Sequence, residues 1–402
     1  VVEVMKSWTD QPGFPLVIAQ TKGDSILIRQ ERFTSVPHDT NQLWKIPLSL
    51  TLFHADGTSE EKSILFGNKE DKISIPYKLS GFKINSEQSG FYRVQYGDED
   101  MENLGKLIAK NFLNEKDRFG IESDLYALVK ASRLSFQQYM GFLHNYHNET
   151  KYLPLMSIAL NLYQASLILD DTWIESVNRT GANLLGKALA NIGFEPGKSE
   201  QFTRSICRDR ILWQAVIHGD NKSVSFSLAQ FEKFLQGKTV NADIFKGILQ
   251  AGAFIKPEVA TSALIDRFRN TDNEHNRLAI LAGLGALSDL QSIQIALDFA
   301  MDEVPDRNKF FLIPGLCTNR NALPILWEWF QNELGRLESL HPVHYERVLA
   351  ALIPYTGLLD PEPIRAWFNE YIECKSEMKS VITLSLEKLM INQRMRENNR
   401  NM

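Results

Sequence analysis

The sequence predicts a small all-β sandwich followed by a large all-α domain of stacked antiparallel helix pairs, an irregular superhelix of the HEAT or armadillo kind. Three observations carry this prediction. Apolar residues repeat with a period near two as far as Tyr96, and from Met101 onward the period is close to 3.6 almost to the end. Between the two regimes lies an acidic break, Gly97-Asp98-Glu99-Asp100, directly after the stretch GFYRVQY at Gly90 to Tyr96. The predicted divisions are residues 1–10 for the end of a preceding helix, 11–98 for the sandwich and 99–402 for the helical domain.

Taken in order, Val1, Val4, Met5 and Trp8 fall at i, i+3, i+4 and i+7, the stripe of a helix already under way, so the chain reads as a fragment with more sequence before it. Gln11-Pro12-Gly13-Phe14-Pro15 stops that helix. Strands follow at Leu16–Gln20 and Ser25–Glu31 across a Lys22-Gly23-Asp24 turn. From Leu43 to Phe53, Trp44, Ile46, Leu48, Leu50 and Leu52 alternate with Lys45, Ser49 and Thr51, the pattern of a half-buried strand. Asp56-Gly57 turns the chain into a returning strand over Lys62–Phe66. Ile73–Ile75, Phe82–Asn85 and Phe91–Tyr96 complete about seven short strands, with Tyr92, Val94 and Tyr96 on one core face.

Beyond Met101 the stripes are helical. Ile121, Leu125, Leu128 and Val129 form one, and Asp117 suits the N-cap of that helix. Ser288 is predicted to cap a helix whose buried seam is Leu290, Ile293 and Leu297. Asn321 and a first-turn Pro324 open another, with Leu323, Leu326, Trp327, Phe330, Leu334 and Leu337 as its stripe. No strict repeat period runs through these segments.

Composition narrows the function. A chain of 402 residues, 44% hydrophobic and 23% charged, buries a substantial core. Its net charge of -5 is scattered rather than massed, so neither nucleic acid nor an anionic membrane is an expected partner. Cys207, Cys317 and Cys374 have no disulfide or zinc spacing, which favours a reducing compartment. Sequons start at Asn148, Asn178 and Asn221, about the number chance produces. No run of 18 apolar residues or signal peptide occurs.

The chain contains no HExxH, GxSxG, Walker A or GxGxxG. His144 and His147, and again His341 and His344, stand i, i+3 and could share a metal, with Glu149 or Glu346 nearby. A hydrolytic zinc needs three protein ligands, and no third is specified, so structural histidines are the stronger reading. Arg347 shares a helix stripe with His344 and Ala351, beside the apolar face of Val348, Leu349 and Leu352. From the residues alone it is a solvated helix arginine.

The order of motifs resembles a known family. WTDQPGFPLV at Trp8–Val17, GFYRVQY at Gly90–Tyr96, DRFGIESDLYALVKAS at Asp117–Ser132, EHNRLAILAGLGALSD at Glu274–Asp289, TNRNALPILWEWF at Thr318–Phe330 and YERVL at Tyr345–Leu349 are similar to the gluzincin zinc aminopeptidases, which include puromycin-sensitive aminopeptidase, the tricorn-interacting factors and the endoplasmic-reticulum aminopeptidases. The first two stretches are the most specific, and together they span nearly the whole chain.

The resemblance implies a placement. Such enzymes have an N-terminal β domain, a thermolysin-like catalytic domain with HExxH, a β-sandwich and a C-terminal helical domain, and this chain is similar to the last two. Residues 1–10 then end the catalytic domain's final helix, and the zinc ligands, the base and the GxMEN-type motif lie before Val1. The chain alone is expected to hold no cofactor and to be inactive, with zinc in the full-length enzyme. The implied partners are the catalytic and N-terminal domains of the same protein and peptide substrates. Arg347, with His344 one turn before it, takes the position from which many members aim an arginine at the catalytic chamber. The missing cysteine pairs of secreted members imply a cytoplasmic location. The competing expectation is a non-catalytic helical-repeat interaction module. An independent hydrolase built on the histidine pairs is a remote third.

Overall fold

The computed structural model of this chain describes residues 2–36, 41–75, 79–197 and 200–400. Among them are seven strands and eighteen α-helices, gathered into two compact units that divide after Ile158.

The first unit opens on α1 (Val2–Thr9), where Trp8 donates its indole N–H to Lys45 O at 3.1 Å while Val2 and Met5 stay exposed. Val1, the first residue of the predicted stripe, lies outside the described residues. The strands are β1 (Pro15–Lys22), β2 (Ser25–Arg32), β3 (Ile46–His54), β4 (Ser59–Phe66), β5 (Glu70–Ser74), β6 (Leu79–Ile84) and β7 (Arg93–Tyr96). They form two sheets, ordered β5-β2-β1-β7 and β4-β3-β6. Pairing is antiparallel except between β1 and β7, which run parallel with Val17 opposite Val94. The sheets meet through their rings, Phe82 on one lying 5.6 Å from Tyr96 on the other.

Alternation does what its period requires: Ile46, Leu48, Leu50 and Leu52 are all fully buried. The strand begins at Ile46 rather than Leu43. Ahead of it Trp44 is held instead by Gln30, whose Oε1 accepts Trp44 N at 2.8 Å and whose Nε2 donates to Trp44 O at 2.9 Å. In the β3–β4 turn Gly57 takes φ 88°, a left-handed conformation suited to glycine.

The backbone switches to helix at Gly97, and α2 (Asp98–Ala109) starts on the acidic break. Asp100 turns back to the sheet, accepting Thr21 N at 2.8 Å and Thr21 Oγ1 at 2.6 Å. α3 (Glu115–Lys130) and α4 (Phe136–Leu143) follow, and α3 packs on β7, which is why the compact unit reaches beyond the switch itself. The cap of α3 is Asn114, whose side chain accepts Asp117 N at 2.9 Å. Asp117, predicted to be the cap, stands three residues further on, where an inward-facing carboxylate is taken by interior donors.

α5 (Tyr152–Ile168) carries the chain across the division between the units. The second unit then contains α6 (Asp171–Ile192), α7 (Phe202–Ile217), α8 (Asn221–Leu235), α9 (Phe245–Ile255), α10 (Pro257–Arg269), α11 (Glu274–Leu284) and α12 (Leu290–Asp302). It ends with α13 (Asp306–Cys317), α14 (Leu323–Asn332), α15 (Leu334–Glu338), α16 (Pro342–Thr356), α17 (Pro361–Cys374) and α18 (Lys379–Asn398). α7, α9, α11, α13, α16 and α18 stand side by side, and α8, α10, α12, α14 and α17 back them, the two-layer stacking of helix pairs. Neighbouring helices this close need small residues: a Cβ on Gly285 would come 3.4 Å from the Cα of Gly315.

Hydrogen bonds reveal a spacing that the residues do not announce. Ser288 Oγ donates to Phe254 O at 2.7 Å, Asn319 Nδ2 to Gly285 O at 3.1 Å, Arg269 Nη2 to Glu303 at 2.6 Å and Arg336 Nη2 to Asp302 at 2.8 Å, each across 34 residues. The predicted cap Ser288 is thus engaged elsewhere, and Asp289 caps α12 by accepting Ser292 N at 2.9 Å. Ile293 and Leu297 form the buried seam while Leu290 is 49% exposed. Asn321 likewise caps nothing; its N–H goes to Asn319 Oδ1, and the stripe breaks before Leu334, which begins α15.

Two hydrogen bonds tie the start of this unit to its end. Trp173 Nε1 on α6 donates to Asn399 O at 2.6 Å, and Arg396 Nη1 on α18 to Ile168 O at 2.9 Å.

Candidate functional site

α16 begins with Pro342 in its first turn, where the missing N–H costs nothing, and buries Tyr345, Val348, Leu349, Leu352 and Ile353. That seam fixes the opposite stripe. His344 is half-buried and Arg347 exposed, one turn apart. Facing them, α13 presents Phe310 and Phe311. The guanidinium carbon of Arg347 lies over the Phe310 ring, 4.4 Å from its centroid, and the His344 ring stacks on Phe310 at 4.7 Å and 27°.

Arg320, Arg336 and Arg365 each pair with a carboxylate of this unit. Arg347 takes part in no ion pair among the described residues, so its charge is unneutralised and its edge donors are available. His344 Nδ1 is buried and has no hydrogen-bond partner among the described residues. Phe310 was not legible as a partner, since nothing in its own stripe points 37 residues ahead.

The histidine pairs are placed differently. His144 and His147 are exposed, and Glu149 is committed to Arg118, which donates to it at 2.6 and 2.9 Å. The His341 and His344 rings stand 5.5 Å apart. Among the described residues no group of three or more His, Cys, Asp or Glu side chains could hold a metal ion. A cleft of about 1000 Å³ in the first unit, lined by His54, Gly81, Asn103, Lys106 and Phe112 among others, contains none of the predicted site residues.

The two motifs GFYRVQY and DRFGIESD turn out to build a single joint. Asn85, in the left-handed region at φ 65°, accepts Gly90 N at 2.7 Å and donates to Gly90 O and Tyr92 O. Gly120 admits the Gln88 side chain, which a Cβ there would meet at 1.9 Å. Lys83, fully buried, donates to Asn85 O at 3.0 Å and Gln88 Oε1 at 3.1 Å and stands 3.6 Å from Asp117, which itself accepts Glu87 N at 2.7 Å. Asp124 accepts Arg93 Nη1 at 2.9 Å and Val94 N at 3.0 Å. Burial pushes the Lys83 ammonium down, opposed by the charges of Asp117 and Asp124, and the Asp124 carboxyl up to about 6, opposed by those of Arg93 and Lys83. A buried lysine and the half-buried Arg93 thus face two buried carboxylates, an arrangement that holds a joint rather than a ligand.

The fold is a seven-stranded sandwich followed by a stack of helix pairs, and in the second unit Arg347 is seated on a ring with no ion pair among the described residues. The comparisons with known proteins give the family of the chain. Residues 81–387, more than half of the chain, match the ERAP1-like C-terminal domain, and the chain belongs to that family. It is 26% identical over 366 residues to aminopeptidase M1-B of Oryza sativa subsp. japonica, covering 85% of this chain and 41% of that protein. To tricorn protease-interacting factor F2 of Thermoplasma acidophilum it is 27% identical over 91% of this chain and 44% of that one. To the alanine/arginine aminopeptidase of Saccharomyces cerevisiae it is 23% identical over 92% and 44%. Two of these relatives are named aminopeptidases, and the chain spans less than half the length of each of the three.

Proposed function

We propose that this chain is the substrate-enclosing and regulatory region of a zinc aminopeptidase that removes residues one at a time from peptide N-termini. The zinc, its ligands and the general base belong to a catalytic domain carried by the same full-length protein, where the metal supplies a bound water as nucleophile. Residues 1–10 continue that domain's last helix, the sandwich runs from 11 to 98, and the helical domain from 99 onward is the part that meets the peptide. Arg347, beside His344, offers its fork of donors to a peptide carbonyl, a terminal carboxylate or an acidic side chain. The protein acts in the cytoplasm.

The observation that carries this reading is the unpaired Arg347 on α16, in a chain whose relatives are named aminopeptidases. Arg347→Ala in the full-length protein is expected to lower kcat/KM for peptides by about ten- to a hundredfold, the worth of a charge-assisted contact. Unchanged kinetics would sink the reading. The chain on its own is expected to bind no stoichiometric zinc and to release no amino acids; elemental analysis and a chelator-sensitive peptide assay check both.

A further inference from the structure

We propose that Phe310 is a positioning residue for Arg347: its ring holds the guanidinium without drawing on a carboxylate, so the N–H donors stay available to the ligand. The inference rests on the reading of Arg347 as a ligand-binding residue.

A surface arginine is ordinarily fixed by a carboxylate, and that partner consumes the donors it orients. Arg336 illustrates this within the same unit, bonded to Asp302 at 2.8 Å and to Glu333 at 3.2 Å. Arg347 is held by a ring instead, its guanidinium carbon 4.4 Å from the Phe310 centroid, and no carboxylate pairs with it among the described residues. A ring attracts the cation through its quadrupole while accepting no N–H from the guanidinium edge. An anionic or carbonyl ligand then meets a cation that is oriented and not competed for.

Neighbouring rings hold Phe310 in turn. His344 stacks on Phe310 at 4.7 Å and Phe311 lies 4.3 Å from it, so the ring is flanked by neighbours from its own helix and from α16.

The experiment measures peptide turnover by the full-length protein carrying Phe310→Leu, Phe310→Tyr, Arg347→Ala or Phe310→Leu with Arg347→Ala, with thermal unfolding alongside. Phe310→Leu keeps an apolar side chain of similar bulk but removes the quadrupole, and is expected to raise KM roughly three- to tenfold with kcat unchanged. Phe310→Tyr keeps the ring and restores KM. The double variant is expected to be no worse than Arg347→Ala, because the ring acts only through the arginine. If Arg347→Ala impairs turnover while Phe310→Leu is silent, positioning by Phe310 is overturned and the ligand role of Arg347 stands. A tyrosine variant as poor as leucine, or additive losses in the double variant, overturns it too. If Arg347→Ala is itself silent, the reading of the site falls and the positioning role falls with it.

Discussion

Asp124 on α3 accepts the main-chain N–H of Val94 on β7 at 3.0 Å, so a carboxylate 30 residues downstream closes the open edge of the last strand. An unpaired edge N–H is a template for another chain's strand, and here it is occupied from within the unit.

The same carboxylate gives the first unit an unusual pH dependence. Burial raises the folded Asp124 to about 6, while an unfolded aspartate titrates near 4. Between those values the folded chain holds a proton that the unfolded chain has released. The stability contributed by this group is therefore present below about pH 4 and lost as pH rises towards 6, by up to about 3 kcal/mol. Asp124→Asn removes that slope. Urea unfolding from pH 4 to 7 is expected to show wild-type stability declining relative to the variant, and a constant difference would refute the assignment.

His218 acts in the opposite sense in the second unit. Gly181 leaves the room for its ring, which a Cβ there would meet at 2.3 Å, and burial holds the imidazole down to about 4. An unfolded histidine titrates near 6.5. Stability from this group is present above that value and lost as pH falls towards 4, again by up to about 3 kcal/mol. His218→Gln is expected to lose this acid sensitivity, read as unfolding midpoints at pH 5 and 7.5.

Asn319 is buried and its Nδ2 donates to both Gly285 O and Leu287 O, at 3.1 and 2.7 Å. Asn319→Ala strands two carbonyls and is expected to cost about 1–3 kcal/mol by chemical denaturation. Asn332→Ala, at an exposed position, serves as the control and is expected to stay within about 0.5 kcal/mol.

Arg347 is exposed, so Arg347→Ala is expected to change unfolding stability by less than about 1 kcal/mol. Its effect on turnover is electrostatic and should be screened. Raising ionic strength is expected to lower wild-type kcat/KM towards that of the variant, whose own salt dependence is flatter. Parallel salt curves would argue against a charged contact with the peptide.

What was legible followed from local periodicity. Ile46 to Leu52 sort themselves into one buried face by position alone, and Ile121, Leu125, Leu128 and Val129 into one buried stripe. The caps were less legible, because several polar residues precede each helix and tertiary partners choose among them; Ser288 was drawn to Phe254 O, leaving Asp289 to cap. The joint between the two motifs was visible only as two stretches, since nothing local couples Asp124 to Val94. Arg347 and His344 share a stripe that their own helix displays, but their platform, Phe310, sits on a different helix and reaches them only through the packing of α13 against α16.

An open row of helix pairs has two loose ends from which it can fray, and such rows come apart piecemeal unless terminal repeats seal them. Here Asn399 receives the indole N–H of Trp173 and Ile168 receives Arg396, so the first and last helices of the second unit guard one another. Severing α18 is therefore expected to release both ends at once, so that hydrogen-exchange protection in α6 falls along with that in α16 rather than surviving it.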